Sequence, residues 1–252
     1  MSKRIDLNAD MGEGFGPWKM GDDPALLDIV TSANIACGWH AGDAQTMRAT
    51  MRQAVAKGVG IGAHPGFADL QGFGRRRLAL SDDELRNLVA YQLGAARGIA
   101  ALAGGHVRHL KLHGALSNMA SESEDIARLC FEAALDVDPD IVIMVLAATP
   151  MEAAVRKLGC NWAGEIFADR AYNDDVTLVD RKKEGAVIHD REVAAKRILG
   201  MLREGAIIAE SGKRIPCRID TVCLHGDTLG AVDVARHLRS RLEGEGYDVR
   251  PL

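Results

Sequence analysis

Aromatic residues make up only 4% of the 252-residue chain, which leaves little for a base-stacking platform. Charge of one sign is scarce as well. The net charge is −4 and no block of like charge is longer than Arg75-Arg76-Arg77, a pattern that argues against a nucleic-acid coat or a basic membrane surface. The five cysteines are an odd number with no C-x-x-C spacing, which fits reduced thiols better than a disulfide framework or a zinc knuckle. No apolar run approaches about 18 residues, and the start of the chain carries no apolar signal core. The expectation is a soluble, cytoplasmic protein with neither a nucleic-acid nor a membrane partner. Also missing are the G-x-x-x-x-G-K-S/T phosphate loop and the H-E-x-x-H metal helix, so neither a standard nucleotide site nor that zinc motif is supported.

Apolar residues are plentiful, at 47% against 26% charged, enough for a large core. The length suits one (β/α) barrel, which typically runs to about 250 residues, or two small domains. No linker, low-complexity stretch or composition shift divides residues 1–252, so a single domain is the simpler reading.

Along the chain, strand-like segments alternate with amphipathic helices, the pattern of a parallel sheet. In the first strand Asp6, Asn8 and Asp10 share one parity and Ile5, Leu7 and Ala9 the other, so one face is polar and one apolar. Gly12 to Gly16 then forms a glycine-rich loop around Glu13. A second strand is predicted over Ala33 to His40, and Asp43 caps the helix after it, which Gly58 stops. A third strand runs to His64-Pro65. Ser81 with Glu84, and again Ser121 with Glu124, read as capping boxes. The fourth strand, Val107 to His113, turns His109, Lys111 and His113 to one face. The fifth covers Ile141 to Leu146, the sixth Asn161 to Asp169, and a seventh main strand Thr221 to His225. Residues 173–190 read as polar and irregular, and 206–218 as a minor strand or turn.

The strand endings recur. Strands two, three, four and seven close on His40, His64, His113 and His225, each beside glycine or proline or one residue from it, and strands one and six close on Asp10 and Asp169. Strand ends of one barrel face meet at a single mouth, so these groups are expected to converge. A metal there could draw on Asp10, His64, His113 or His225. His106 has the wrong parity to join His109 and His113 in one site, and His106, His189 and His237 read as turn or surface residues. Lys111, flanked by leucines, must point inward and be paired. It is either a fixed cation for a substrate oxyanion or a salt-bridge partner of Asp6 or Asp10. The three arginines after Gly72-Phe73-Gly74, and Arg170, are either solvated or closing on an anionic substrate.

Several segments come in a fixed order. They are Asp6-Leu7-Asn8-Ala9-Asp10-Met11-Gly12-Glu13-Gly14, the run from Ala33 to Asp43, Gly62-Ala63-His64-Pro65, Phe73-Gly74-Arg75-Arg76, Lys111-Leu112-His113-Gly114-Ala115, Phe167-Ala168-Asp169-Arg170 and Cys223-Leu224-His225-Gly226-Asp227. The series resembles the LamB/YcsF family over nearly the whole chain. Two positions depart from its pattern, Leu112 where proline is usual and Ser117 where tyrosine is usual. The resemblance implies an irregular (β/α) TIM-like barrel of about seven main strands, related to the glycoside hydrolase and deacetylase barrels. It implies ATP-dependent opening of 5-oxo-L-proline to L-glutamate, with ATP as cosubstrate and Mg2+ as its possible metal. The chain would then be one component of a 5-oxoprolinase complex, working beside subunits B and C.

That chemistry assigns Asp10 or His113 as general base, Lys111 to the phosphoryl or oxyanion charge, and Arg75 or Arg76 to the substrate carboxylate. His64 and His225 complete the catalytic set. Asn8, Glu13, Asn34, His40, Asp169, Arg170 and Asp227 are expected to bind or orient the substrate. The alternatives are a metal-dependent amide or deacetylase-type hydrolase working without ATP, and a non-catalytic substrate-binding subunit.

Overall fold

The first strand, β1 (Lys3–Met11), is the hub of the sheet, pairing in parallel with three others. A computed structural model describes residues 3–180, 183–224 and 230–252. After β1 come α1 (Asp23–Leu26), β2 (Ser32–Ala36), α2 (Ala44–Lys57), β3 (Gly60–His64), α3 (Asp82–Leu102) and β4 (Val107–Lys111). Then follow α4 (Gly114–Glu122), α5 (Glu124–Val137), β5 (Val142–Leu146), α6 (Pro150–Leu158), β6 (Trp162–Phe167) and α7 (Arg191–Glu204). The chain finishes with β7 (Ala206–Ile208), β8 (Arg214–Pro216), β9 (Thr221–Leu224), α8 (Ala231–Gly244) and β10 (Tyr247–Val249).

Strands β1 to β6 and β9 pair in that order, and β9 returns to β1, closing a seven-stranded parallel barrel. β10 extends the sheet beside the start of β1, while β7 and β8 form a separate antiparallel hairpin. Helices pack on the outer face, where Ile5, Leu7, Ile35, Leu110, Ile143 and Val222 join one continuous buried cluster. Inner-face residues follow the period of two: Asp6, Asn8 and Asp10 from β1, Asn34 from β2, His109 and Lys111 from β4, Glu165 from β6, Thr221 and Cys223 from β9. The barrel interior is therefore polar along several strands.

Its lower part is closed by neutral donors. The Asp6 carboxylate accepts from Thr31 Oγ1 (2.6 Å), Ser32 Oγ (2.7 Å) and Thr221 Oγ1 (2.5 Å). Burial nonetheless raises its pKa. Asn8 Nδ2 donates to Thr221 Oγ1, Asn34 Nδ2 to Asn8 Oδ1, and His109 Nε2 to Asn34 Oδ1, each at 2.8 Å. Gly62 makes room for that imidazole, because a Cβ there would sit 2.0 Å from His109 Nε2.

Several boundaries differ from those read off the sequence. β2 ends at Ala36, so His40 is carried by the loop beyond it. β4 ends at Lys111, and His113 is the N-cap residue of α4, a helix the sequence pattern did not reveal. The Asp43 cap, the Gly58 stop and the Ser81–Glu84 capping box are present. The Ser121–Glu124 box is not: Ser121 lies inside α4 with its hydroxyl on the Asn118 carbonyl, and Ser123 caps α5. All five cysteines are free thiols, and among the described residues no helix is long and apolar enough to cross a membrane.

Candidate active site

Lys111 stands at the upper end of the barrel interior. Its Nζ lies 3.0 Å from Asp10 Oδ1, 2.9 Å from Glu165 Oε1 and 3.1 Å from Cys223 Sγ. Burial opposes the ammonium charge, but Asp10 and Glu165 outweigh it and hold the pKa well above the ordinary value. The cation is therefore permanent. Of the two partners proposed from sequence, Asp10 is the one engaged, while Asp6 sits a layer below. Glu165 was not expected. Its signal was parity alone, shared with Ala163 and Phe167 on β6.

Beside this cation three imidazoles cluster. His64 Nε2 lies 3.3 Å from Asp10 Oδ2 and 3.0 Å from His113 Nδ1. His64 Nδ1 faces the Lys111 carbonyl at 2.8 Å, and His113 Nε2 faces the Phe73 carbonyl at 2.8 Å. His40 stacks on His113 with ring centres 3.6 Å apart, and its Nε2 is 3.6 Å from Glu13 Oε1. Burial, then the neighbouring imidazoles, pushes His40 well below its usual pKa and His113 down to about 3. His109 is pushed to about 3 by burial and then by Lys111. His40 and His113 are therefore neutral. Glu13, His40, His64 and His113 offer ligand atoms within 4.8 Å of one another and could hold a metal ion.

The loop from Gly66 to Leu80 builds one wall of this cluster. Phe73 adopts φ +54°, uncommon for a side chain of its size, and its carbonyl anchors His113 while its ring meets both His40 and His113 edge-on. Gly74, at φ +62°, lies so close that a Cβ would stand 2.7 Å from His40 Cβ. Arg75 crosses the Phe73 ring at 4.9 Å.

Above lies a cavity of about 710 Å3, lined among others by Asp10, Glu13, His64, Arg75, Lys111, His113, Glu165 and Arg170. The segment after Arg170, read from sequence only as polar and irregular, folds over it through Asp175 to Asp180. Other candidates fall elsewhere. Asn8 and Asn34 are buried in the layer beneath, and His40 stands behind His113, outside the cavity lining. Arg76 points away, its Nε 3.0 Å from both Asp69 oxygens, and Arg77 pairs with Glu122. Arg170 lines the cavity and donates to the Val179 carbonyl, whereas Asp169 does not line it. His225 and Asp227 lie outside the described residues. Of the histidines read as turn or surface residues, His106 and His189 are exposed, and His237 is partly buried 3.1 Å from Glu192. Ser117, one of the two departures noted above, lines the cavity, as does Leu112.

The LamB/YcsF family model matches residues 5–252. The chain belongs to the LamB/YcsF family. A relative from Ruegeria pomeroyi, named as the A component of 5-oxoprolinase, is 65% identical over 246 residues, 98% of this chain and 97% of that one. Among solved structures, the lactam utilization protein from Thermus thermophilus superposes with a TM-score of 0.92 at 40% identity, covering 99% of this chain and 100% of the other. The catalytic domain of a peptidoglycan N-acetylglucosamine deacetylase from Eubacterium rectale shares the fold alone, with a TM-score of 0.53, 12% identity, and coverage of 100% and 89%. The expected relation of this LamB/YcsF chain to deacetylase-type barrels is thus present in the fold.

Proposed function

We propose that the chain is the A component of an ATP-dependent 5-oxoprolinase that opens 5-oxo-L-proline to L-glutamate together with subunits B and C. The observation that carries this reading is the 65% identity, over almost the full length of both chains, to a protein named as that component. The single barrel would supply the lactam site, and ATP would enter with Mg2+ in the assembled complex.

The charges suit the chemistry. A five-membered lactam is a stabilised amide, and phosphorylation of its oxygen activates the ring carbon for attack by water. The phosphoryl group then carries negative charge, and the ring nitrogen takes up the electron pair as water adds to the carbon. Lys111 is a permanent buried cation lining the cavity. Asp10 and His113 present acceptor atoms beside it, to which the attacking water can lose its proton. Arg75, stacked on Phe73 at the cavity wall, is placed for the substrate carboxylate. His64 Nε2 lies between Asp10 Oδ2 and His113 Nδ1, at 3.3 and 3.0 Å.

The test is oxoproline-dependent ADP release by the purified chain alone and then with subunits B and C added. Turnover only in the assembled complex is the expected result. A second reading, a metal-dependent amide hydrolase working without ATP, is favoured by the imidazole and carboxylate cluster. Chelator-sensitive ring opening by this chain alone, without ATP, would select it.

A further inference from the structure

Two imidazole nitrogens of the histidine cluster face each other at 3.0 Å. A neutral imidazole carries one N–H and one lone pair, and a carbonyl oxygen only accepts. His64 Nδ1 faces the Lys111 carbonyl at 2.8 Å, so that nitrogen holds a proton, and in a neutral ring Nε2 is a lone pair. His113 Nε2 faces the Phe73 carbonyl at 2.8 Å, so its Nδ1 is a lone pair as well. These two lone pairs confront each other at 3.0 Å.

Among the described residues, the groups nearest these two nitrogens are further acceptors, while Arg75 adds positive charge nearby. Asp10 Oδ2 is 3.3 Å from His64 Nε2, and Glu13 Oε1 is 3.9 Å from His113 Nδ1. Lys111, the cation beside them, is turned to Asp10 Oδ1 and Glu165. Buried acceptors need a donor or an ion between them. His40 adds to the deficit, since it is fully buried and neither ring nitrogen has a hydrogen-bond partner.

We propose that His64 Nε2, His113 Nδ1 and Glu13 bind one divalent cation of the imidazole-preferring class, Zn2+, Co2+ or Ni2+, in preference to Mg2+, with His40 stacked behind His113. Ligands at about 2.0–2.2 Å from a tetrahedral ion stand roughly 3.4 Å apart; His64 Nε2 and His113 Nδ1 are 3.0 Å apart, Glu13 Oε1 is 3.9 Å from His113 Nδ1, and the whole set lies within 4.8 Å. The donor set selects the metal. Two imidazoles and one carboxylate suit zinc and its neighbours, whereas Mg2+ takes oxygen ligands and keeps its waters. The Lys111 carbonyl would hold His64 from outside through Nδ1, and the Phe73 carbonyl His113 through Nε2, at 2.8 Å each. A bound ion supplies further positive charge where an amide oxygen would become negative.

The inference uses the cavity of the proposed lactam site but not its reaction, and its test contains no substrate or nucleotide. Its failure would leave the oxoprolinase reading standing, and inactivity toward oxoproline would leave this inference standing. The experiment is to strip the full-length chain with chelator and titrate it with Co2+, reading the visible ligand-field absorption and the heat of binding. The expected result is one equivalent bound, displaced by Zn2+ and unaffected by a thousandfold excess of Mg2+. His113→Ala should weaken binding at least about 100-fold, and Glu13→Gln, the milder change, about 10-fold, with folding checked by circular dichroism. No stoichiometric uptake by the wild-type chain would mean that a shared proton alone separates the two imidazoles, and would overturn the proposal. Displacement of Co2+ by equimolar Mg2+, or unchanged affinity in both folded variants, would overturn it equally.

Discussion

The lower and upper layers of the barrel interior are both polar, and strands β1, β4 and β9 feed both. They differ in what answers their polar groups. Below, Asp6 is surrounded by three hydroxyl donors, and Asn8, Asn34 and His109 pass hydrogen bonds from one to the next, with His109 Nδ1 left over at the end of the chain. Above, a cation stands between two carboxylates, and imidazole lone pairs face one another beside it. A satisfied buried network rigidifies a core, while one with charge in excess or acceptors opposed is poised for a ligand. Polarity inside a barrel thus does not by itself mark a site; the surplus does.

The two layers should part most widely at Lys111. Lys111→Met leaves Glu165 as an uncompensated buried charge and takes the cation from partly exposed Asp10, and should cost about 3–5 kcal/mol of stability in denaturant unfolding. In the lower layer, Thr221→Val removes the hydroxyl that donates to Asp6 and accepts from Asn8. It should lower stability by about 1–3 kcal/mol while leaving the KM for oxoproline unchanged, because nothing in that layer but its Asp10 contact touches the cavity. A raised KM would mean the layers are not separable.

A similar contrast holds between the arginines at the rim. Arg75→Gln should raise KM about 10-fold, the scale of one lost charge-assisted hydrogen bond of roughly 1.5–3 kcal/mol, whereas Arg76→Gln should change it less than about 2-fold on the scale of an exposed pair. Equal effects would show that the Asp69 pairing does not withdraw Arg76 from the site. The smallest effect concerns that pair. Hydrogen bonds from Arg76 hold the Asp69 carboxyl down to about 2, against 3.8 for an unperturbed aspartate. A depressed carboxyl pKa stabilises the fold above the unfolded value and loses that contribution as pH falls from 3.8 through 2. Side-chain carboxyl NMR should show Asp69 titrating near 2, and Arg76→Gln should move it back toward 3.8.

Much of this was legible in residue parity. Alternation in β1 and β4 placed Asp6, Asn8, Asp10, His109 and Lys111 on the inner face, and the repeated strand endings brought His64 and His113 together. Alternation could not say where a strand stops. His40 and His113 reach the cluster from a loop and a helix cap, positions governed by the backbone of Gly66 to Leu80 rather than by a period of two. The start of α4 carries no side-chain cap because His113 is turned into the site, and β10 is three residues long, too short to show alternation. Glu165 was hidden for another reason. A carboxylate late in a strand looks like any loop-facing acid until its counterion Lys111, from a different strand, is in view.

Whether the upper layer, organised on Lys111, performs ring opening is tested most directly by glutamate formation from 5-oxoproline in the complex reconstituted with subunits B and C. The wild-type chain is to be compared there with Lys111→Met/Glu165→Gln, which removes one cation and one anion and so keeps the net charge of the buried cluster. The double variant should fold and assemble yet turn over at least about 100-fold more slowly, the scale of a lost oxyanion contact. Turnover at the wild-type rate by that variant would contradict a catalytic role for this layer.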